Sequence, residues 1–331
     1  MPRPVVVLTN PIEVSARARL DAHATVVLAA ADDATSLRHA VREADALIVR
    51  AMLPPDVFDA APRLLTAVRH GAGVDLIPVA AATAAGIIVA NVPGANAVTV
   101  AEYAFAQMLR LARRLDCIET ALRADGWTAA RPLADAGREL HGATLGVVGL
   151  GAIGGQVARI GGQGFGMRVL GHRRRAGWSA PGVEPAALDE LLAAADWVVL
   201  ACPLTEETRG LIDRRRLALM RPGAVLVNVS RGAVIDESAL IEALAQGRLG
   251  GAVLDVYATQ PLPADAPLRS LERVLLSPHV AGISADSMRR MSAVAVEQVL
   301  AVLQGRPPVH FVNPEVWPVR RPNPHVAAQR P

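Results

Sequence analysis

The sequence predicts an α/β chain of two parallel-sheet domains, one of them discontinuous, and three observations carry that prediction. Short β-branched runs alternate with Ala-rich helical stretches along the whole chain. The runs are apolar continuously rather than at every second residue, as strands of a parallel sheet covered on both faces must be. Two long helical stretches, 97–123 and 284–303, bracket the second set of runs. The chain therefore leaves one domain, builds the other and returns.

The first strand set is Val5–Leu8, Thr25–Leu28, 46–50, Thr66–Arg69 and 87–90. The stretch 97–123 contains neither Gly nor Pro and is predicted as one helix. The second strand set is Thr144–Val148, 167–171, 197–201, 224–228, Gly251–Leu254 and 274–277. The helix over 284–303 stops at Gly305-Arg306-Pro307-Pro308. From Pro314 the chain is rich in Pro and Arg and is predicted extended or loosely docked. The domain boundaries that follow are 1–96 with 286–331 for one domain and 97–285 for the other.

Composition removes several function classes. All 34 basic residues are arginine, so there is no P-loop lysine for a γ-phosphate and no Schiff-base lysine for pyridoxal phosphate. The Tyr-x-x-x-Lys dyad of short-chain dehydrogenases is excluded for the same reason. Charge is nearly balanced, 34 basic against 31 acidic residues, and aromatics are only 3%, which argues against a nucleic-acid surface. The uncharged run 76–101 is long enough to cross a bilayer, but Pro78, Gly86, Asn91, Pro93 and Asn96 interrupt it, so no membrane partner is expected. Cys117 and Cys202 form neither a disulfide nor a metal-ligand spacing, and no metal site is expected. With no signal-like N-terminus, this fits a reducing cytoplasm.

The most specific motif is Gly149-Leu150-Gly151-Ala152-Ile153-Gly154, which follows a strand and opens a helix. Gly149 permits the tight turn, Gly151 lets backbone approach a pyrophosphate, and Gly154 allows close helix–strand packing. The N–H groups of the first helical turn, Ala152 and Ile153 among them, face the phosphates. An acid about 20 residues further on would bond an adenosine ribose 2′-OH. This chain has His172-Arg173-Arg174-Arg175 there instead. Guanidinium groups bind a 2′-phosphate where a carboxylate would repel it. The expected cofactor is NADP(H), led by Arg173 and Arg174 with His172 beside them; NAD(H) is the other cofactor this motif accommodates.

Three further segments close predicted strands, where an open α/β sheet gathers its site residues. They are Asn228-Val229-Ser230-Arg231-Gly232, then Asp255-Val256-Tyr257-Ala258-Thr259-Gln260-Pro261-Leu262-Pro263, and Ser277-Pro278-His279-Val280-Ala281-Gly282. Upstream lie Gly71-Ala72-Gly73-Val74-Asp75 and Asn96-Ala97-Val98-Thr99-Val100-Ala101-Glu102; between them and the three segments comes Cys202-Pro203-Leu204-Thr205-Glu206-Glu207-Thr208. In this order, over about residues 45–313, the chain resembles the D-isomer-specific 2-hydroxyacid dehydrogenase family, its glyoxylate/hydroxypyruvate reductases in particular.

The resemblance implies a Rossmann cofactor domain inserted into a flavodoxin-like substrate domain, and a homodimer with 97–123 and 127–140 at its interface. It implies that Arg231 grips a 2-keto acid's carboxylate and that His279 is the general acid during reduction. The amides of Ala72 and Gly73 would bind the carboxylate, Asn96 would face the substrate, and Arg50 would stand on its C3 side. Asp255 would hold the nicotinamide carboxamide, with Val229 and Gly282 also on the cofactor side, and Cys202, Pro203 and Thr208 would line the adenine end. Both central roles make chemical sense. A guanidinium matches a planar carboxylate, and an alkoxide formed by hydride transfer needs a proton from a group titrating near neutrality.

One residue departs from the family pattern. Gln260 stands where most relatives carry the glutamate that pairs with the histidine. An amide orients the ring but supplies no charge, so the imidazolium of His279 is expected to be less favoured than in glutamate-bearing relatives. Two other readings stay open: a formate-like dehydrogenase, a branch resembling this chain in carrying glutamine here, and a nucleotide-sensing corepressor-like binding protein.

Overall fold

The computed structural model describes residues 3–174 and 177–326. They form two compact units, one of residues up to Asn96 and from Ser284 onward, the other Ala97–Ile283. The second crossing falls two residues before the boundary expected at 285/286. Ser284 caps the returning helix, its hydroxyl accepting from the Ser287 amide, so it belongs with that helix.

The first unit is a five-stranded parallel sheet. Its strands are β1 (Val5–Leu8), β2 (Thr25–Leu28), β3 (Ala46–Val49), β4 (Thr66–Arg69) and β5 (Ile88–Ala90), in the order β2-β1-β3-β4-β5. That is the flavodoxin-like order. Both faces are covered. Val6, Leu8, Ala46 and Ile48 pack against the helices Val14–Asp21 and Ala285–Leu303, while Val7, Leu47, Val49 and Ala67 pack beneath Leu37, Val57 and Leu64. Successive side chains of one strand point to opposite layers, which is why no polar alternation marks these runs.

The tail is docked rather than loose. A short 3₁₀ turn covers Pro314–Val319. Beyond it Arg321 donates to the carbonyls of Ala61, Leu64 and Ala85, and the Asn323 amide donates to Val302 and Leu303 at the end of the long helix. A Pro- and Arg-rich segment is thus fixed by side chains satisfying helix and loop carbonyls, together with Val316, which is buried in the first unit's core, and Trp317 packed against it.

The second unit carries β6 (Thr144–Val148), β7 (Arg168–His172), β8 (Glu184–Pro185), β9 (Trp197–Leu200), β10 (Val225–Asn228), β11 (Gly251–Leu254) and β12 (Val274–Leu276). All pairs are parallel, in the order β12-β11-β10-β9-β6-β7-β8. This is the Rossmann arrangement, with its switch point where β6 lies between β7 and β9. Leu145, Val147, Val199 and Val227 pack on one face against Val100, Ala104, Met108 and Val157. Val148, Val198, Leu200 and Leu226 pack on the other against Leu191, Leu217 and Leu240. Each fully buried Leu or Val contributes about 1.5–3 kcal/mol relative to exposure.

The stretch 97–123 is two helices, not one. Ala97–Ala112 is buried along one side, and Leu115–Asp125 follows after a break at Arg113-Arg114. Arg114 takes left-handed backbone, φ 55° and ψ 34°, which ends the first helix without Gly or Pro. No described residue lies in a helix long and apolar enough to cross a membrane.

Candidate active site

The glycine loop is built as its sequence requires. Gly149 has φ 92°, and a side chain on it would begin 2.6 Å from the Cys202 backbone just beyond β9. A side chain on Gly154 would start 1.9 Å from the Gly149 carbonyl. Around Gly151, by contrast, nothing stands within 4 Å of where a side chain would begin. Gly151 is the N-cap of the helix Ala152–Arg159 and supplies no side chain to cover its first N–H groups. An open backbone at a helix start on the switch point fits a pyrophosphate.

At the end of β7, Nδ1 of His172 lies 3.2 Å from the Ala186 carbonyl. Arg173 is exposed, and the Arg174 side chain, 80% exposed, stands 3.5 Å from Glu207. Arg175 lies outside the described residues. The 203–208 turn is held by Thr208, whose hydroxyl donates to the Pro203 carbonyl at 2.7 Å and accepts from the Thr205 amide at 2.7 Å. A hydrogen bond from the Thr205 hydroxyl, and one from its own backbone amide, hold the Glu207 carboxyl below its ordinary pKa, with a further contribution from Arg174. Cys202 is buried, and burial pushes its thiol pKa up.

The three predicted segments converge at the ends of β10, β11 and β12. Asp255 is 1% exposed and accepts from the amides of Val280 and Ala281, each at 2.8 Å, and from the Ser277 hydroxyl. The amide of His279 in turn donates to the Asp255 carbonyl at 2.9 Å. These bonds force the 277–281 turn tight enough that His279 adopts φ 56°. Left-handed backbone at a non-glycine residue is costly and tends to mark functional positions. Its Nδ1 sits 3.2 Å from Oε1 of Gln260. The amide oxygen accepts from Nδ1–H, which fixes the tautomer and turns Nε2 outward.

Sequence reasoning missed the scaffold of this turn. The Tyr257 hydroxyl donates to the Ser277 carbonyl at 2.9 Å and accepts from the Ser277 amide at 3.0 Å, with burial pushing its pKa up to about 12. Tyr103 joins the Ser277 hydroxyl from the helix Ala97–Ala112. The only signal was a tyrosine two residues after Asp255. A cavity of about 650 Å³ opens beside the turn, lined by Tyr257, Leu262, Arg269, Leu276, Gln260 and His279 among others.

Arg231 follows β10 and is half-buried. Asn228 shapes its loop: the amide oxygen accepts from the amide and hydroxyl of Ser230, and the amide nitrogen donates to the Arg231 carbonyl at 3.0 Å. Nη1 of Arg231 donates to the Ser230 carbonyl at 2.7 Å. Val229 is buried beside it, and Gly282 closes the segment after Ala281.

In the first unit, Arg69 is the architect of the 70–73 loop. Its guanidinium donates to the carbonyls of Val49, His70 and Gly73, and Asn91 donates to the Ala72 carbonyl. With the loop held through its carbonyls, the amides of Ala72 and Gly73 make no hydrogen bond among the described residues. Beneath the loop, His70 is buried and kept neutral, its pKa down to about 4 by burial, with Arg50 adding to the shift. Arg50 donates to the Pro11 carbonyl, and burial lowers its own pKa. The buried Oδ1 of Asn96 has no hydrogen-bond partner, a polar atom kept available at some cost.

Comparison with known proteins bears on this arrangement. Residues 105–281 match the D-isomer specific 2-hydroxyacid dehydrogenase NAD binding domain. A glyoxylate reductase of Korarchaeum cryptofilum is 42% identical over 288 residues, 85% of this chain and 86% of that protein. The chain belongs to the D-isomer-specific 2-hydroxyacid dehydrogenases. Glyoxylate/hydroxypyruvate reductase B of Pectobacterium carotovorum is 38% identical over 95% of this chain and 99% of its own. Among solved structures, the NADPH-dependent glyoxylate/hydroxypyruvate reductase of Sinorhizobium meliloti, in complex with NADP and malonate, superposes with a TM-score of 0.85. It is 31% identical and covers 97% of this chain and 99% of that one.

As a 2-hydroxyacid dehydrogenase, the protein is an NAD(P)-dependent oxidoreductase, and its relatives place it with 2-keto acid reduction. When bound, the nicotinamide supplies a hydride; the protein must supply the anchoring charge and the proton. Within the second unit, Arg231 and the His279–Gln260 pair are groups of the right kind for both tasks.

Proposed function

We propose that the protein reduces a small 2-keto acid of the glyoxylate or hydroxypyruvate kind to the D-2-hydroxy acid, with NADPH preferred over NADH. The observation that carries this reading is the His279–Gln260 pair on its pinned turn, together with Arg173 and Arg174 in place of an acid after β7. Relatives named as glyoxylate reductases and a neighbour solved with NADP support it. In this reading Arg231 and the amides of Ala72 and Gly73 hold the carboxylate. Asn96 faces the substrate, and Arg50 stands on its C3 side. His279 delivers a proton from Nε2 to the developing alkoxide, and Gln260 orients its ring. Asp255 positions the turn and keeps one lone pair for the nicotinamide amide.

A substrate panel tests the chemistry. NADPH oxidation with glyoxylate supports the proposal; NADP reduction with formate would favour the branch that shares glutamine at this position, and no turnover at all would favour a binding protein. Cofactor choice is tested by Arg173→Asp, expected to raise the KM for NADPH about tenfold or more by replacing attraction with repulsion at the 2′-phosphate. An unchanged NADPH/NADH ratio would remove Arg173 from that role.

The same reading includes a homodimer in a reducing cytoplasm, where Cys117 and Cys202 stay free. No residue of the helix Leu115–Asp125 is buried, and Leu115, Leu122 and Trp127 expose apolar surface in succession. Such a face asks for a partner. Gel filtration is expected at twice the 34.7 kDa of the chain; a monomeric elution volume would contradict this.

A further inference from the structure

Gln260 stands on a segment with little support of its own. Residues 258–260 are exposed and lie outside any helix or strand. Just before them, Tyr257 is pinned by its hydroxyl to Ser277. Among the described residues, the backbone of 258–260 makes a single hydrogen bond: the Ala258 amide donates to Oε2 of Glu237 at 2.9 Å. That amide also marks where two loops touch. A side chain on Gly232, next to Arg231, would begin 1.9 Å from the Tyr257 carbonyl and 2.5 Å from the Ala258 nitrogen. Backbone lies on backbone there, and the Glu237 bond fastens the contact.

Glu237 offers a firm base for that bond. It is half-buried at the start of the helix Glu237–Ala245, and the turn leading into it is held by backbone hydrogen bonds. The Val234 amide donates to the Arg231 carbonyl at 3.2 Å, the Ile235 amide to Gly232 at 3.0 Å and the Asp236 amide to Ile212 at 3.0 Å. Asp236 is the cap, accepting from the Ala239 amide at 3.1 Å. An acid in the first turn is ordinarily accounted for by the helix dipole. The Glu237 carboxylate instead reaches an amide outside its helix, and a charged acceptor makes such a bond about twice as strong as a neutral one.

We propose that Glu237 is a positioning residue: through the Ala258 amide it holds the 258–260 segment, and with it the Gln260 side chain, within hydrogen-bonding distance of His279 Nδ1. The inference rests on the reading above, in which Gln260 orients the ring for proton transfer from Nε2. Without the Glu237 bond, residues 258–260 keep no backbone hydrogen bond among the described residues. Gln260 then leaves the ring, and the proton donor loses its alignment with the substrate. The Arg231 loop keeps its own bonds, to Asn228 and within 231–235, so the carboxylate anchor is untouched. Glu237 thus acts on the proton step and not on substrate affinity.

The test is steady-state reduction of glyoxylate by NADPH. Glu237→Ala should lower kcat about tenfold to a hundredfold, the scale of a small misalignment of reacting groups, and leave the KM for glyoxylate unchanged. Glu237→Met, a good helix former without a comparable acceptor, replaces alanine if that variant folds poorly. Glu237→Gln keeps an acceptor oxygen and loses the charge, so it should retain most of the wild-type kcat. Gln260→Ala should match the loss in Glu237→Ala, and the double variant should be no worse than either, because both remove one interaction. Wild-type kcat in Glu237→Ala would overturn the proposal, as would a raised KM with kcat intact, a glutamine variant as impaired as alanine, or losses that multiply in the double variant. If the wild type reduces no 2-keto acid, the functional reading fails, and NMR of labelled histidine still tests the placement. The His279 ring should carry its proton on Nδ1 in the wild type and lose that preference in Glu237→Ala; identical rings in the two proteins would sink the inference.

Discussion

Replacing His279 with alanine is expected to lower kcat for 2-keto acid reduction by about 10²–10⁴, the usual contribution of a positioned general acid. The reason for placing the largest effect here is the absence of a substitute. The chain has no lysine, and its arginines remain protonated throughout the working range. Gln260, the residue bonded to the ring, does not titrate. NADPH affinity, measured by fluorescence titration, should be unchanged, because the proposal puts His279 in the proton path and not at the glycine loop. A variant that kept wild-type kcat would show that the proton comes from elsewhere.

Arg231→Ala is expected to reduce kcat/KM by roughly 30-fold to several thousandfold, since truncating one partner of a desolvated charge pair costs about 2–5 kcal/mol. The loss should appear in both KM and kcat if the guanidinium holds the carboxylate and also polarises the carbonyl. Arg231→Lys should recover little, because a point charge cannot reproduce the planar fork. Steady-state kinetics on the three proteins checks this. A full recovery with lysine would reduce the role of Arg231 to simple attraction.

Much of this arrangement was legible in the sequence because it depends on local chemistry. The glycine loop announces itself through strand, spacing and helix, and both sheets through continuous apolar runs. What escaped was structure made by polar side chains on backbone carbonyls. Arg69 looked like a charge ending a strand, yet it holds three carbonyls around the 70–73 loop. Arg321 looked like part of a loose tail, yet it pins that tail to the first unit. Neither produces periodicity. β8 escaped for a different reason, being a two-residue edge strand, Glu184–Pro185, with no apolar run. The break at Arg114 escaped because it uses an arginine where glycine would have been the visible signal.

Asp255 shows how structure can enlarge a role. Its carboxylate ties three groups of the 277–281 turn, so it sets where His279 stands. The geometry joining Asp255, His279 and Gln260 leaves one variable for chemistry to read, the charge beside the ring. A carboxylate at position 260 would favour the imidazolium and keep His279 protonated to higher pH. Reduction needs the protonated ring, so its rate falls as pH rises through the histidine's titration. The decisive measurement is the pH dependence of kcat/KM for glyoxylate reduction in the wild type and in Gln260→Glu. The descending limb should move to higher pH in the variant; superimposable profiles would mean that Gln260 is not coupled to the proton donor and that the proposed mechanism is wrong.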